Sequence, residues 1–126
     1  MRNYFQASIL SKMKHLLFIT IAAVLLVGCG ENKDVLLHKA AEQGDLKDVK
    51  YYLRDGSNKN IKYGRYNDTP LHRAIFSENE KVVIYLVSND VDINALDAFG
   101  TTPLDDAYVW GNKKIINFIR LNGGKT

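Results

Sequence analysis

Cysteine, proline and charge of one sign are scarce in this sequence of 126 residues. Cys29 is the only cysteine, so no disulfide can form within the chain, and no Cys/His cluster with zinc spacing is present. A Gly-rich phosphate loop and a Gly-x-Ser-x-Gly elbow are also missing. We therefore expect no enzyme activity, no cofactor and no metal site.

The excess of positive charge is confined to residues 1–28. This segment contains Arg2, Lys12 and Lys14 and no acidic residue, whereas 14 basic and 14 acidic side chains follow it. Proteins that hold nucleic acid usually present a basic patch to the phosphates. Because the chain beyond the leader is electrically balanced, we expect no nucleic-acid partner.

The longest apolar run covers residues 16–27 and contains twelve residues. A helix needs about 20 apolar residues to cross a bilayer, so this run is too short. Its length and the two lysines before it, Lys12 and Lys14, suit the apolar region of a secretory signal. A signal that begins at Met13 would be complete, which makes Met13 an alternative start of the protein.

Residues 26–29 (LVGC) resemble the lipobox of bacterial lipoproteins. The resemblance implies that residues 1–28 are removed, that Cys29 receives diacylglycerol and fatty acid (palmitate), and that residues 29–33 form a short tether. Gly30, in place of Asp, implies transfer to the inner leaflet of the outer membrane, facing the periplasm. A short uncleaved anchor or a buried leader helix with an idle thiol is the alternative.

The two prolines, Pro70 and Pro103, stand 33 residues apart at the same place in a repeated pattern. Residues 69–74 read TPLHRA, residues 102–104 repeat TPL, and residues 37–40 read LHKA, 34 positions before the matching LHRA. A threonine can cap the first turn of a helix, and proline suits the position after it because its missing N–H would be unpaired there. The pattern predicts a helix start at each Thr-Pro pair.

These motifs resemble the ankyrin-repeat family, whose repeat length is 33 residues. The resemblance implies an all-α solenoid of about three helix-turn-helix repeats with projecting loops. The repeats would cover residues 34–66, 67–99 and 100–122 of a domain at 34–126. Terminal repeats are expected to be atypical because one flank faces water. A plain helical bundle is the alternative.

The resemblance also assigns structural roles. His38 and His72 occupy the same repeat position and are expected to hydrogen-bond to neighbouring turns. Gly56 and Gly123 fall where the end of a helix requires a left-handed residue, and Asp90 departs from glycine at that position.

In ankyrin proteins the loop tips and the exposed side of the first helices form a concave binding face. Four aromatic residues stand at such positions here, and aromatic side chains bury a large area at a small cost in rotamer entropy. Three of the first-helix residues could instead pack within the fold: Val109 and Trp110 on the terminal turn and Phe76 between first helices. The resemblance predicts a protein-binding face formed by Glu42, Gln43, Lys62, Arg65, Tyr66, Phe76, Ser77, Ala98, Phe99, Val109 and Trp110.

Together these features predict a lipid-anchored, periplasmic module that binds another protein. A narrower version is an immunity protein that neutralises an antibacterial effector such as a lipase. The alternative is a structural or chaperone-like protein that protects or tethers an envelope enzyme.

Overall fold

Six α-helices form the part of the chain that the computed structural model describes, residues 30–126. The predicted signal segment, the start at Met13 and Cys29 lie outside this range. Within it, no helix has both the length and the apolar character needed to span a membrane. The helices are α1 Lys33–Gln43, α2 Leu46–Arg54, α3 Pro70–Phe76, α4 Glu80–Ser88, α5 Pro103–Trp110 and α6 Lys113–Leu121.

The helix starts predicted at the Thr-Pro pairs are confirmed. The Thr69 hydroxyl accepts from the His72 amide, and the Thr102 hydroxyl accepts from the Asp105 amide, with a proline at the first position of each helix. Helix α1 begins without such a pair, and the Asn32 side chain caps it. The folded unit therefore includes the last two residues of the tether expected at 29–33.

Two layers of helices build the solenoid. Helices α1, α3 and α5 stack on one another, and α2, α4 and α6 form the second layer behind them. Ala40, Ala74 and Ala107 are buried at the same repeat position, where their small side chains let the first helices approach closely. The second helices contribute larger apolar side chains to the same core: Val49, Val82, Val83, Leu86, Ile115 and Ile119.

The hydrogen bonds expected of the two histidines are present. His38 Nε2 donates to the Asp68 carbonyl oxygen at 3.2 Å, and His72 Nε2 donates to the Thr101 carbonyl oxygen at 3.3 Å. Each acceptor belongs to the residue just before the threonine that caps the first helix of the next repeat. The histidines therefore link consecutive first helices.

The loops between repeats are tied by asparagine side chains. Asn60 Oδ1 accepts from the Asp92 amide at 2.7 Å, and Asn94 Oδ1 accepts from the Lys125 amide at 2.7 Å. Each bond joins one loop to the segment that follows the next second helix. The C-terminal residues are thereby held against the second loop.

The left-handed residues expected after the second helices are confirmed. Gly56 and Gly123 have φ values of 80° and 94°, and Asp90 adopts 57° at the same repeat position. The left-handed backbone conformation is therefore kept at position 90, although the residue there is aspartate and not glycine. Aspartate tolerates this conformation better than most side chains because it is short and polar.

We expect His72→Ala to lower the free energy of unfolding by about 2–4 kcal/mol, since it removes a buried side chain and leaves buried polar groups without partners. Urea unfolding followed by circular dichroism measures the change. Lys81→Ala, at an exposed position of α4, should stay within about 0.5 kcal/mol of the unaltered protein. Equal stability of the two variants would contradict the structural role of His72.

We expect Glu78→Gly to raise the free energy of unfolding by about 0.5–1 kcal/mol. Glu78 has a φ of 55°, whereas glycines occupy the equivalent positions 44 and 111 with φ near 70°. Glu78→Ala is the control, because it removes the carboxylate and keeps the strained Cβ. If alanine stabilised the protein as much as glycine, the charge rather than the backbone would be the cause.

Candidate functional site

A groove of about 350 Å³ lies along α3, α5 and the loops that precede them. Apolar and aromatic side chains line much of its wall, and charged side chains complete it. The groove contains five of the residues predicted to bind protein, and these are Tyr66, Phe76, Phe99, Val109 and Trp110.

The four aromatic residues form two pairs, each across adjacent repeats. The rings of Tyr66 and Phe99 are 5.9 Å apart, and those of Phe76 and Trp110 meet edge to face at 4.9 Å. The exposed fractions of Tyr66, Phe76, Phe99 and Trp110 are 42%, 49%, 73% and 46%. Phe76 thus fills space between the first helices, where it contacts Trp110, and both side chains still present about half of their surface.

The loops that carry the first pair are held side by side. The Ala98 amide donates to the Tyr66 carbonyl oxygen at 2.8 Å, which joins the two loop tips. Tyr63 and Asp68 form an isolated antiparallel bridge at the base of the first loop. Backbone hydrogen bonding therefore fixes the separation of the loop aromatics.

Arg73 is a groove residue that sequence reasoning missed. Its guanidinium lies over the rings of Tyr66, at 5.5 Å, and Phe76, at 5.8 Å. Its Nε lies 2.8 Å from Asp68 Oδ2, and its Nη1 lies 3.3 Å from Glu42 Oε1. The signal was its position between the fixed His72 and Ala74 of the repeat motif, where the fold leaves the residue free to vary.

Asp68 holds the Arg73 side chain in place through its carboxylate. Its carboxylate is buried and also accepts from His38 Nε2 at 2.8 Å. The Arg73 Nε contact is too oblique for a hydrogen bond, so it is an ion pair held by charge. This network joins the first repeat to the second and holds the Arg73 guanidinium beside the aromatic rings.

Two further carboxylates, Asp97 and Asp106, line the groove at its third-repeat end. Burial raises the pKa of Asp106, and the neighbouring carboxylates of Asp97 and Asp68 add to this effect. At Asp97 burial also acts to raise the pKa, but hydrogen bonds from Thr101 and Phe99 outweigh it and lower the pKa. Within residues 30–126 neither carboxylate belongs to an ion pair.

The other predicted binding residues lie around the groove. Lys62, Arg65 and Ala98 are exposed on the loops, and Gln43 is exposed at the end of α1. Ser77 differs from the prediction, because its hydroxyl contacts the Glu42 carbonyl oxygen at 2.6 Å and the Arg73 carbonyl oxygen at 2.9 Å. That hydroxyl is engaged in joining α1 to α3.

Comparison with known proteins matches residues 21–125 to a family model of three ankyrin repeats. A fowlpox virus ankyrin repeat protein is 42% identical over 59 residues, which are 47% of this chain and 10% of the viral protein. The Arabidopsis thaliana potassium channel SKOR is 37% identical over 89 residues, 71% of this chain and 11% of the channel. An ankyrin repeat protein of Rickettsia bellii is 29% identical over 87 residues, 64% of this chain and 51% of that protein. The chain spans only about a tenth of the viral protein and of the channel.

We expect the contribution of Asp97 to stability to disappear in acid. A carboxyl with a lowered pKa in the folded state stabilises the protein above its unfolded pKa, about 3.9, and loses this contribution as the pH falls through the folded pKa. Asp97→Asn should therefore be less stable than the unaltered protein at pH about 7 and nearly equal to it well below pH about 4. Urea unfolding at several pH values measures the difference, and a difference independent of pH would contradict this account.

Proposed function

Since this chain belongs to the ankyrin-repeat family, whose members generally mediate interactions between proteins, we propose that its groove binds another protein. The observation that carries the proposal is the pair of half-exposed aromatic contacts beside Arg73. Aromatic and arginine side chains dominate the energy of protein interfaces because they bury a large area in few rotamers. The fold itself does not require these residue types at the groove.

The side chains and loops of the groove are also held in place by contacts within the chain itself. Arg73 is fixed by Asp68, and the loop tips are joined by the hydrogen bond from Ala98 to Tyr66. A prearranged surface loses less conformational entropy on association, which increases affinity. This supports recognition by a rigid face.

We further propose that the domain is attached to the bacterial envelope through lipid on Cys29. The support for this proposal is the apolar run at residues 16–27 and the LVGC sequence that ends at Cys29. Helix α1 begins at Lys33, so only a few residues would separate the lipid from the folded domain. Partners would then be restricted to proteins in or near the membrane surface.

Within this role we propose immunity against a toxin as the specific task. A small domain that carries an exposed aromatic groove and is tethered at the membrane suits the blocking of an effector that acts in the envelope. Tethering or protection of an envelope enzyme remains the alternative. The two differ in whether a cognate toxin exists.

We expect affinity purification from solubilised envelope to recover a partner that is lost when Tyr66, Phe99 and Trp110 are changed to alanine. Recovery should fall at least about tenfold, because each side chain is a candidate anchor. Tyr108→Ala is the matched control, since Tyr108 is about half exposed on α5 but does not line the groove. With folding verified by circular dichroism, equal recovery by the triple variant and the control would contradict binding through this face.

We expect a strain without this gene to lose a growth competition against neighbours that deliver the cognate effector. The unaltered gene should restore survival and the triple alanine variant should not. Sensitivity to envelope stress in the absence of any effector would favour the tethering role instead.

A further inference from the structure

Arg73 shows how this groove accommodates a cation. Its guanidinium lies over the rings of Tyr66 and Phe76 at 5.5 and 5.8 Å, and its Nε forms an ion pair with Asp68 at 2.8 Å. A cation over an aromatic ring is attracted by the electron-rich face, and a nearby carboxylate adds a charge interaction. The half of the groove beside α3, formed by Tyr66, Asp68, Arg73 and Phe76, thus already contains a cation from the chain itself.

The other half of the groove, which we call the third-repeat half because it lies beside α5, contains the same kinds of side chain but no lysine or arginine among its described lining residues. Phe99 and Trp110 supply aromatic surface, and Asp97 and Asp106 supply carboxylates that line the same cavity. The ion pairs found within residues 30–126 include neither of these carboxylates. The described lining therefore holds three carboxylates and a single arginine, which leaves a local excess of negative charge.

We propose that this half of the groove, formed by Asp97, Phe99, Asp106 and Trp110, binds a lysine or arginine side chain of the partner protein. The inference rests on the proposed function, since it names the chemistry of the partner. The incoming cation would lie beside carboxylate and aromatic groups, as Arg73 does in the other half. Arginine suits the site better where it can stack on an aromatic face.

Other side chains fit this half less well. An acidic side chain would face Asp97 and Asp106 and be repelled by them. An apolar side chain would cover the Asp106 carboxylate, which burial already disfavours, and would offer no hydrogen bond in return. Charge complementarity therefore selects a cationic residue.

Trp110 is the only tryptophan of the chain, so its fluorescence reports on this half of the groove directly. The full-length protein in detergent is titrated with four peptides, acetyl-Gly-Ser-Xaa-Ser-Gly-amide, in which Xaa is arginine, lysine, glutamate or leucine. We expect the arginine and lysine peptides to change the Trp110 emission saturably, with Kd values in the millimolar range. The glutamate and leucine peptides should cause no saturable change.

Asp106→Asn removes the charge at nearly constant shape and should weaken binding of the arginine peptide at least about fivefold. Asp48→Asn is the matched control, because Asp48 is an exposed acid in the first turn of α2 and lies outside the groove. It should leave binding unchanged. Circular dichroism verifies that both variants are folded.

Equal binding of the glutamate or leucine peptide would overturn the inference, and so would equal effects of the two asparagine variants. The purified partner separates this outcome from failure of the proposed function. Partner recovery that is lost in the triple alanine variant but unchanged in Asp106→Asn would overturn the cation site and support the groove. Recovery that is unchanged in both would overturn both proposals.

Discussion

The way one repeat meets the next depends on the two ring nitrogens of a buried histidine. His72 Nδ1 accepts from the Thr69 amide at 3.2 Å, so the ring proton must be on Nε2, which donates to the Thr101 carbonyl oxygen. One side chain thus caps its own helix and fixes the position of the following turn. In the third repeat Asp105 replaces histidine and caps only its own helix, with Oδ2 2.9 Å from the Thr102 amide.

The groove is a consequence of this spacing. The histidine bonds hold the first helices and their loops in register, so side chains from neighbouring repeats meet as pairs. The contact between Phe76 and Trp110 joins α3 to α5, and the contact between Tyr66 and Phe99 joins successive loops. Within residues 30–126, no single repeat contains both members of either aromatic pair. Loosening the stack would therefore separate the groove residues without altering any of them.

Residues required by the backbone could be predicted from the sequence, and residues that line the groove could be predicted only in part. Thr69 and Pro70 recur as Thr102 and Pro103 because α3 and α5 begin in the same way, and Gly56 recurs as Gly123 because the chain must turn left-handed there. Arg73 shares its repeat position with Lys39 and Asp106, so the repeat does not fix the residue type there. Its role depends on Asp68 and on aromatic rings that lie beside it only after folding. The same reason explains Ser77, whose exposure was predicted and whose hydroxyl instead contacts Glu42 and Arg73. Lipidation of Cys29 stays a prediction.

The net charge of the chain and the local charge of the groove indicate different properties of a partner. The balance of 14 basic and 14 acidic residues beyond the leader argues against a broad polyanionic ligand. It does not prevent a local excess, and Asp97 and Asp106 provide one at the third-repeat end of the groove. Burial makes a charge at Asp106 costly, and a cation from a partner would reduce that cost. Such a contact distinguishes partners by the charge of one side chain, while the aromatic pairs bury area with many sequences. The aromatic residues would then supply most of the affinity and the carboxylates most of the selectivity.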